Sequence, residues 1–136
     1  MKPLRETLLL QIAVAAAAAV PVAAGLAGVI HGAPDEAAGF DSHYRYLSGL
    51  LLGLGFCFWS LLPNLGRRSP LFGALTLVVA IGGLSRLYAL LLRGDPGPMG
   101  LALIMELVVT PALFLWHANL AGRRAPPVGP LLIRAN

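Results

Sequence analysis

Four apolar runs separated by short polar breaks constrain this chain more than any other feature. Thr7 to Ile30 holds 24 residues without a charge and Tyr46 to Leu62 holds 17. Leu71 to Leu92 is broken by Arg86 alone, and Met99 to Leu120 by Glu106 alone. A helix rises about 1.5 Å per residue, so about 20 apolar residues cross a hydrocarbon layer of roughly 30 Å. The runs therefore predict an all-α, membrane-embedded antiparallel four-helix bundle over residues 1–121, with helices at about 7–30, 46–62, 71–92 and 99–120. Composition agrees: 57% of the 136 residues are hydrophobic and 12% are charged, against roughly 25% charged in an ordinary soluble domain. A water-soluble domain is excluded on this ground.

The first run follows Lys2 and Arg5 and has small residues around Ala23 to Ala27, as a secretory leader does. Its apolar stretch is longer than the roughly 7 to 15 residues of a leader core, which favours a retained helix. Four crossings put Lys2, Arg5, Arg67, Arg68, Arg123, Arg124 and Arg134 on one side and only Arg45 and Arg93 on the other. Basic residues mark the cytoplasmic side, so both termini are expected in the cytoplasm. The same placement explains the net charge of +4 without nucleic acid as a partner. Cys57 is the single cysteine, so no disulfide framework exists within the chain.

The breaks at Pro63 to Pro70 and Arg93 to Pro98 are short, which makes the second, third and fourth helices antiparallel neighbours. The segment from His31 to Arg45 reads as a longer outer loop. Residues 122–136, with Pro126, Pro127 and Pro130, read as a flexible cytoplasmic tail, a type of segment that partner proteins also recognise. Gly49 with Gly53, and Ala24 with Gly28, have the spacing for close helix approach; packing within the chain is the simpler reading, and a homo-oligomer stays open. Pro21 and Pro111 withdraw the hydrogen bonds owed to the carbonyls of Ala17 and Leu107, so kinks are expected there.

Arg86 and Glu106 carry the chemistry. A charge deep in a lipid-facing helix costs on the order of 2.5 to 3.5 kcal/mol on the mildest scale, so two of them require a reason. Measured from a turn centred between Asp95 and Pro96, Arg86 stands 9.5 residues before and Glu106 10.5 residues after. In antiparallel helices these depths nearly coincide, and a guanidinium beside a carboxylate makes two parallel charge-assisted hydrogen bonds. Arg45 begins the second helix on the same outer side, with Gly49 one turn deeper. Helical spacing adds Thr76, Val79, Gly82 and Gly83 beside Arg86, and Thr110, Leu113 and His117 beside Glu106. The expected site is a small polar cluster of Arg45, Arg86 and Glu106, bordered by Gly49, Gly82, Gly83 and Thr110. With two arginines to one carboxylate, it would attract an anionic or polar head group. The plainer reading is a structural clasp that fixes the register of two helices.

No metal or other cofactor is indicated. His31, Asp35, Glu36, Asp41 and His43 lack ligand spacing and read as a solvated acidic loop. His117 beside Trp116 reads as an interfacial histidine, and Tyr44, Tyr46, Trp59, Tyr88 and Trp116 as interface anchors or packing groups. No nucleophile elbow, phosphate-binding loop, dinucleotide fingerprint or HExxH pattern occurs.

Three motifs in order, HYRYLSGLLLGLG from His43 to Gly55, GGLSRL from Gly82 to Leu87 and ELVVTP from Glu106 to Pro111, resemble the bacterial domain-of-unknown-function 4345 family of small membrane proteins. The resemblance runs from the first helix to the start of the tail. Arg45, Gly49, Gly82, Gly83, Arg86, Glu106 and Pro111 match its typical motifs, so the resemblance implies a bacterial inner-membrane location and supports the fold and the polar cluster, but it supplies no substrate. The expected role is of binding or accessory type, with the lipid bilayer as environment and a lipid-like ligand or a membrane-protein partner at the polar site. Two rivals stay open: a small proton-coupled transporter, and an integral-membrane enzyme using Glu106 as acid or base.

Overall fold

The structure, a computed structural model, describes residues 2–33, 38–66, 69–94 and 99–124. Helix α1 spans Lys2–His31, α2 Ala38–Leu61, α3 Pro70–Arg93, α4 Met99–Ile104 and α5 Thr110–Arg124. A short 3-10 turn, Leu62–Asn64, follows α2, and a π-helical turn, Met105–Val109, joins α4 to α5. The described residues contain four stretches long and apolar enough to cross a membrane: Leu4–His31, Gly39–Asn64, Pro70–Leu92 and Gly100–Arg123. The chain is an all-α bundle and reads as a multi-pass membrane protein.

The helix ends follow local chemistry. Ser69 caps α3 by accepting the Phe72 amide at 3.2 Å, with Pro70 in the first position, where its missing N–H removes nothing. Gly94 closes the helix at φ +76°, its amide donating to the Leu90 carbonyl at 2.7 Å. Gly32 closes α1 in the same way at φ +71°, donating to the Gly28 carbonyl at 3.0 Å.

Two expectations on boundaries are corrected. Helix α2 starts at Ala38, well before Tyr46, so the region expected to be a loop up to Arg45 is largely helical. The reason is local: Asp41 in the first turn favours a helix N-terminus and pairs with Arg45 one turn later at 2.8 Å. Helix α5 runs to Arg124, so Gly122 to Arg124, assigned to the tail, continue the helix. The rest of that tail, residues 125–136, lies outside the described residues, as do Arg67, Arg68 and the Asp95 to Pro98 turn.

The apolar core sits at one end, where the N-terminal half of α1 meets the end of α2, the start of α3 and the end of α5. Leu10, Val14 and Ala18 pack there with Phe58, Leu65, Phe72 and Leu120, all buried. Phe72 is the hub: its ring meets Phe58 edge-on at 5.6 Å, stacks on Phe114 at 6.4 Å and lies 4.9 Å from the His117 ring. Trp59 adds a cross-helix bond, its Nε1 donating to the Ala15 carbonyl at 3.1 Å, and Gln11 Nε2 donates to the Leu62 carbonyl at 2.7 Å.

Toward the other end, the buried described residues belong to two separate seams. Gly25, Gly28, Gly32 and Ser48 line the contact of α1 with α2, and Gly83 lines that of α3 with the π turn. A Cβ on Gly25 would stand 2.5 Å from the Leu52 nitrogen and 2.7 Å from the Ser48 carbonyl; one on Gly55 would stand 3.1 Å from the Val22 nitrogen. Backbone meets backbone here, which is the packing that small residues permit in lipid. The register agrees with expectation at Gly28, which is buried against Ser48, and differs at the other three positions. Ala24 and Gly53 are exposed, and the nearest neighbour of a Cβ at Gly49 is Val29 Cγ2 at 4.0 Å, because these three lie about 100° around their helices from the contact line.

Candidate polar site between the third and fourth spans

Arg86 and Glu106 face one another across two helices. Arg86 Nε donates to Glu106 Oε2 at 3.1 Å and Nη2 donates to Oε1 at 3.2 Å, so both carboxylate oxygens are engaged by one edge of the guanidinium. The Arg86 side chain is 36% exposed and that of Glu106 17%. The pair is thus half-sheltered: the carboxylate is inside the seam, and part of the guanidinium reaches out of it.

Two local features set this geometry. Pro111 has no N–H to offer the Leu107 carbonyl and its ring crowds that turn, so the helix widens just before it. Thr110 bonds the Met105 carbonyl five residues back, through its amide and also through Oγ1 at 2.8 Å. Glu106 sits on this widened turn. Opposite it, Gly83 lets α3 come close: a Cβ there would stand 2.9 Å from Glu106 Cβ and 2.8 Å from Leu107 Cδ2. Arg86 follows three residues later on the same helix face. Gly82 is exposed, with nothing within 4 Å of a Cβ, so of the two adjacent glycines only Gly83 builds the seam.

Arg45 belongs to a different network. Its Nε donates to Asp41 Oδ2 at 2.8 Å, and its Nη1 donates to the carbonyls of Val29 at 2.6 Å and Ile30 at 3.1 Å. Asp41 Oδ1 in turn accepts the Ala33 amide at 2.8 Å. A Cβ on Gly32 would run into Asp41 Oδ1 and Arg45 Nη2. The assembly caps the C-terminus of α1: a cation lies at the negative end of the helix and covers carbonyls that have no partner within it. The three-residue cluster of Arg45, Arg86 and Glu106 is therefore replaced by two pairs, each a guanidinium with its own carboxylate. The expected excess of positive charge at one site goes with it. Sequence reasoning missed the role of Asp41 and Gly32, although a carboxylate four residues before Arg45 and a glycine closing the first apolar run were the available signals.

The remaining expectations resolve by location. Thr110 supports the π turn, and Gly49 lies near Val29 on the α1 side. His117 is 3% exposed and packed on Phe72, so its ring belongs to the core and not to the bundle surface. Tyr44, Tyr46 and Tyr88 are exposed, as anchors are, whereas Trp59 is half-buried against α1. Among the described residues no three His, Cys, Asp or Glu side chains gather to hold a metal; Asp35 and Glu36 lie outside them. A separate hollow of about 260 Å³ lies at the core end, lined by Glu6, Trp116, Asn119, Leu120 and Arg123. It is bridged by Arg123 Nη1 and Glu6 at 3.7 Å.

A family model covers residues 9–117, a span that includes both arginine pairs, Gly83 and the π turn. The chain belongs to the DUF4345 family. This family is described as a domain of unknown function, so membership fixes kinship and leaves the chemistry to the residues. No curated protein and no solved structure matches the chain. In this DUF4345 protein the motifs around Arg86 and Glu106 are the two sides of one ion pair, and the motif around Arg45 is the cap of the first helix.

Proposed function

We propose that this DUF4345 protein is an integral protein of the bacterial cytoplasmic membrane, of binding or accessory type, whose Arg86 and Glu106 form a polar site for a lipid-like or polar small molecule. The excess of Lys2, Arg5, Arg67, Arg68, Arg123, Arg124 and Arg134 over Arg45 and Arg93 supports a cytoplasmic location for both termini by the positive-inside bias. We assign residues 1–121 to the membrane domain, with α5 continuing through Gly122 to Arg124 on the cytoplasmic side.

One observation carries the reading: a side-on, two-bonded guanidinium–carboxylate pair stands seven residues from the Arg93 end of α3 and seven from the Met99 start of α4. At 1.5 Å per residue both groups lie about 10 Å inside the helix ends. That depth is within the hydrocarbon for helices of this length, where ionised side chains usually mark function. Glu106 orients Arg86, and the exposed part of the guanidinium is the contact surface. Arg45, already held by Asp41 and two carbonyls, supports the site by fixing α1 against α2. Both oxygens of Glu106 are engaged by Arg86, which argues against a free general base and against a proton-coupled carboxylate. The test is Glu106→Gln. Mass spectrometry after gentle detergent extraction should find an amphiphile retained by the wild-type protein and lost by the variant, with lower thermal stability. Equal retention and equal stability would remove the site.

A further inference from the structure

The hydrogen-bond inventory of Arg86 defines what its ligand must offer. Nε and Nη2 are both directed at Glu106. Nη1, with two N–H donors, has no acceptor among the described residues, and it belongs to a side chain that is 36% exposed. Both oxygens of the Glu106 carboxylate face the other edge of the guanidinium, and one carboxylate opposite one guanidinium leaves the pair with no net formal charge. In hydrocarbon a donor without an acceptor is expensive, and a neutral pair has no surplus charge to draw an anion out of water. The site therefore calls for an oxygen that accepts hydrogen bonds and brings no charge with it.

We propose that Nη1 of Arg86 is a donor site for a carbonyl oxygen of an uncharged amphiphile lying against the seam of α3 and the π turn. This deepens the reading given under Proposed function and rests on it. Glu106 holds the guanidinium edge-on, so Nη1 points away from the carboxylate, and Gly83 keeps the seam closed behind it. Two sources supply such an oxygen: the glycerol-ester carbonyl of a bilayer lipid, and the ring or chain carbonyl of a separate amphiphile such as a quinone.

The experiment uses the full chain in vesicles of ether-linked phosphatidylcholine, which has no carbonyl, and in ester-linked phosphatidylcholine. The probe is a decyl-substituted benzoquinone, measured as uptake above that of protein-free vesicles. In ether-linked vesicles the wild-type protein should bind it saturably, and Arg86→Lys, which keeps a cation for Glu106 but loses the second donor edge, should bind at least tenfold more weakly. Weaker apparent binding in ester-linked vesicles identifies the lipid ester as a competitor, and unchanged binding identifies a separate amphiphile; both support the carbonyl assignment. Uptake that stays linear, or is equal in wild type and Arg86→Lys, overturns it. Displacement of the probe by ether-linked phosphatidic acid would show that a phosphate is preferred and also overturns it. Should Arg86→Lys fail to insert, the wild-type saturation curve decides alone. Loss of the co-purified amphiphile in Glu106→Gln together with linear probe uptake would reject the carbonyl and leave the general site standing.

Discussion

Two adjacent glycines offer a sharp test of the seam between α3 and the π turn. Gly82→Ala places a methyl group in open space, whereas Gly83→Ala places one 2.9 Å from Glu106 Cβ and from Leu107 Cγ, and 2.8 Å from Leu107 Cδ2. The Leu107 methyl can swing aside. Glu106 Cβ is fixed to its backbone, so the helices must part by several tenths of an ångström. Both substitutions gain helix propensity, by up to about 1 kcal/mol, and this contribution cancels in their difference. What remains is the overpacking penalty, about 1–3 kcal/mol. Gly82→Ala should therefore be neutral or stabilising, and Gly83→Ala should be less stable than Gly82→Ala by about 1–3 kcal/mol. Reversible unfolding in mixed micelles, read by circular dichroism, measures the difference. If the two variants agree to within about 0.5 kcal/mol, the range of an ordinary surface change, the close approach at Gly83 is wrong.

Two further predictions concern the pieces around the pair. Gly32→Ala should destabilise the junction of α1 and α2 by about 1–2 kcal/mol from the positive φ alone, with more from collision with Asp41 and Arg45; faster hydrogen exchange at the Ala33 amide, which Asp41 accepts, checks it, and unchanged exchange contradicts it. Pro111→Ala returns an N–H to bond the Leu107 carbonyl, so the π turn should revert to α-helix; loss of its backbone chemical-shift signature and a lower coupling between Arg86 and Glu106 are the expected results, and a retained π turn contradicts the role given to the proline.

The fold was readable from apolar run length because lipid leaves the backbone few alternatives to a helix. The partnership of Arg86 with Glu106 was readable as well, because a short turn between antiparallel helices fixes depth by counting. What counting does not fix is rotation about the helix axis. Gly25 and not Ala24 meets α2, Gly83 and not Gly82 meets Glu106, and these assignments depend on packing angles that one sequence leaves open. Arg45 shows a second limit. Its depth was compatible with the pair, but Asp41 one turn away and the carbonyls of Val29 and Ile30 are nearer partners. Reading residues 31–45 as a loop removed that helix-spaced pair from view. The π turn was only half visible: Pro111 announced a disturbance, and Thr110, with its amide and hydroxyl both on the Met105 carbonyl, decided its form.

The account turns on Arg86 and Glu106 interacting across the helices inside a membrane. A double-mutant cycle with Arg86→Gln, Glu106→Gln and both together, measured as unfolding free energy in bilayers, isolates that interaction. Breaking a fully buried pair costs about 3–5 kcal/mol and an exposed one contributes about 1 kcal/mol or less. With Arg86 36% and Glu106 17% exposed, a coupling of about 1–3 kcal/mol is expected. A coupling within about 0.3 kcal/mol of zero, the level at which distant sites simply add, would show that the two charges stand apart, and the proposed site would be lost.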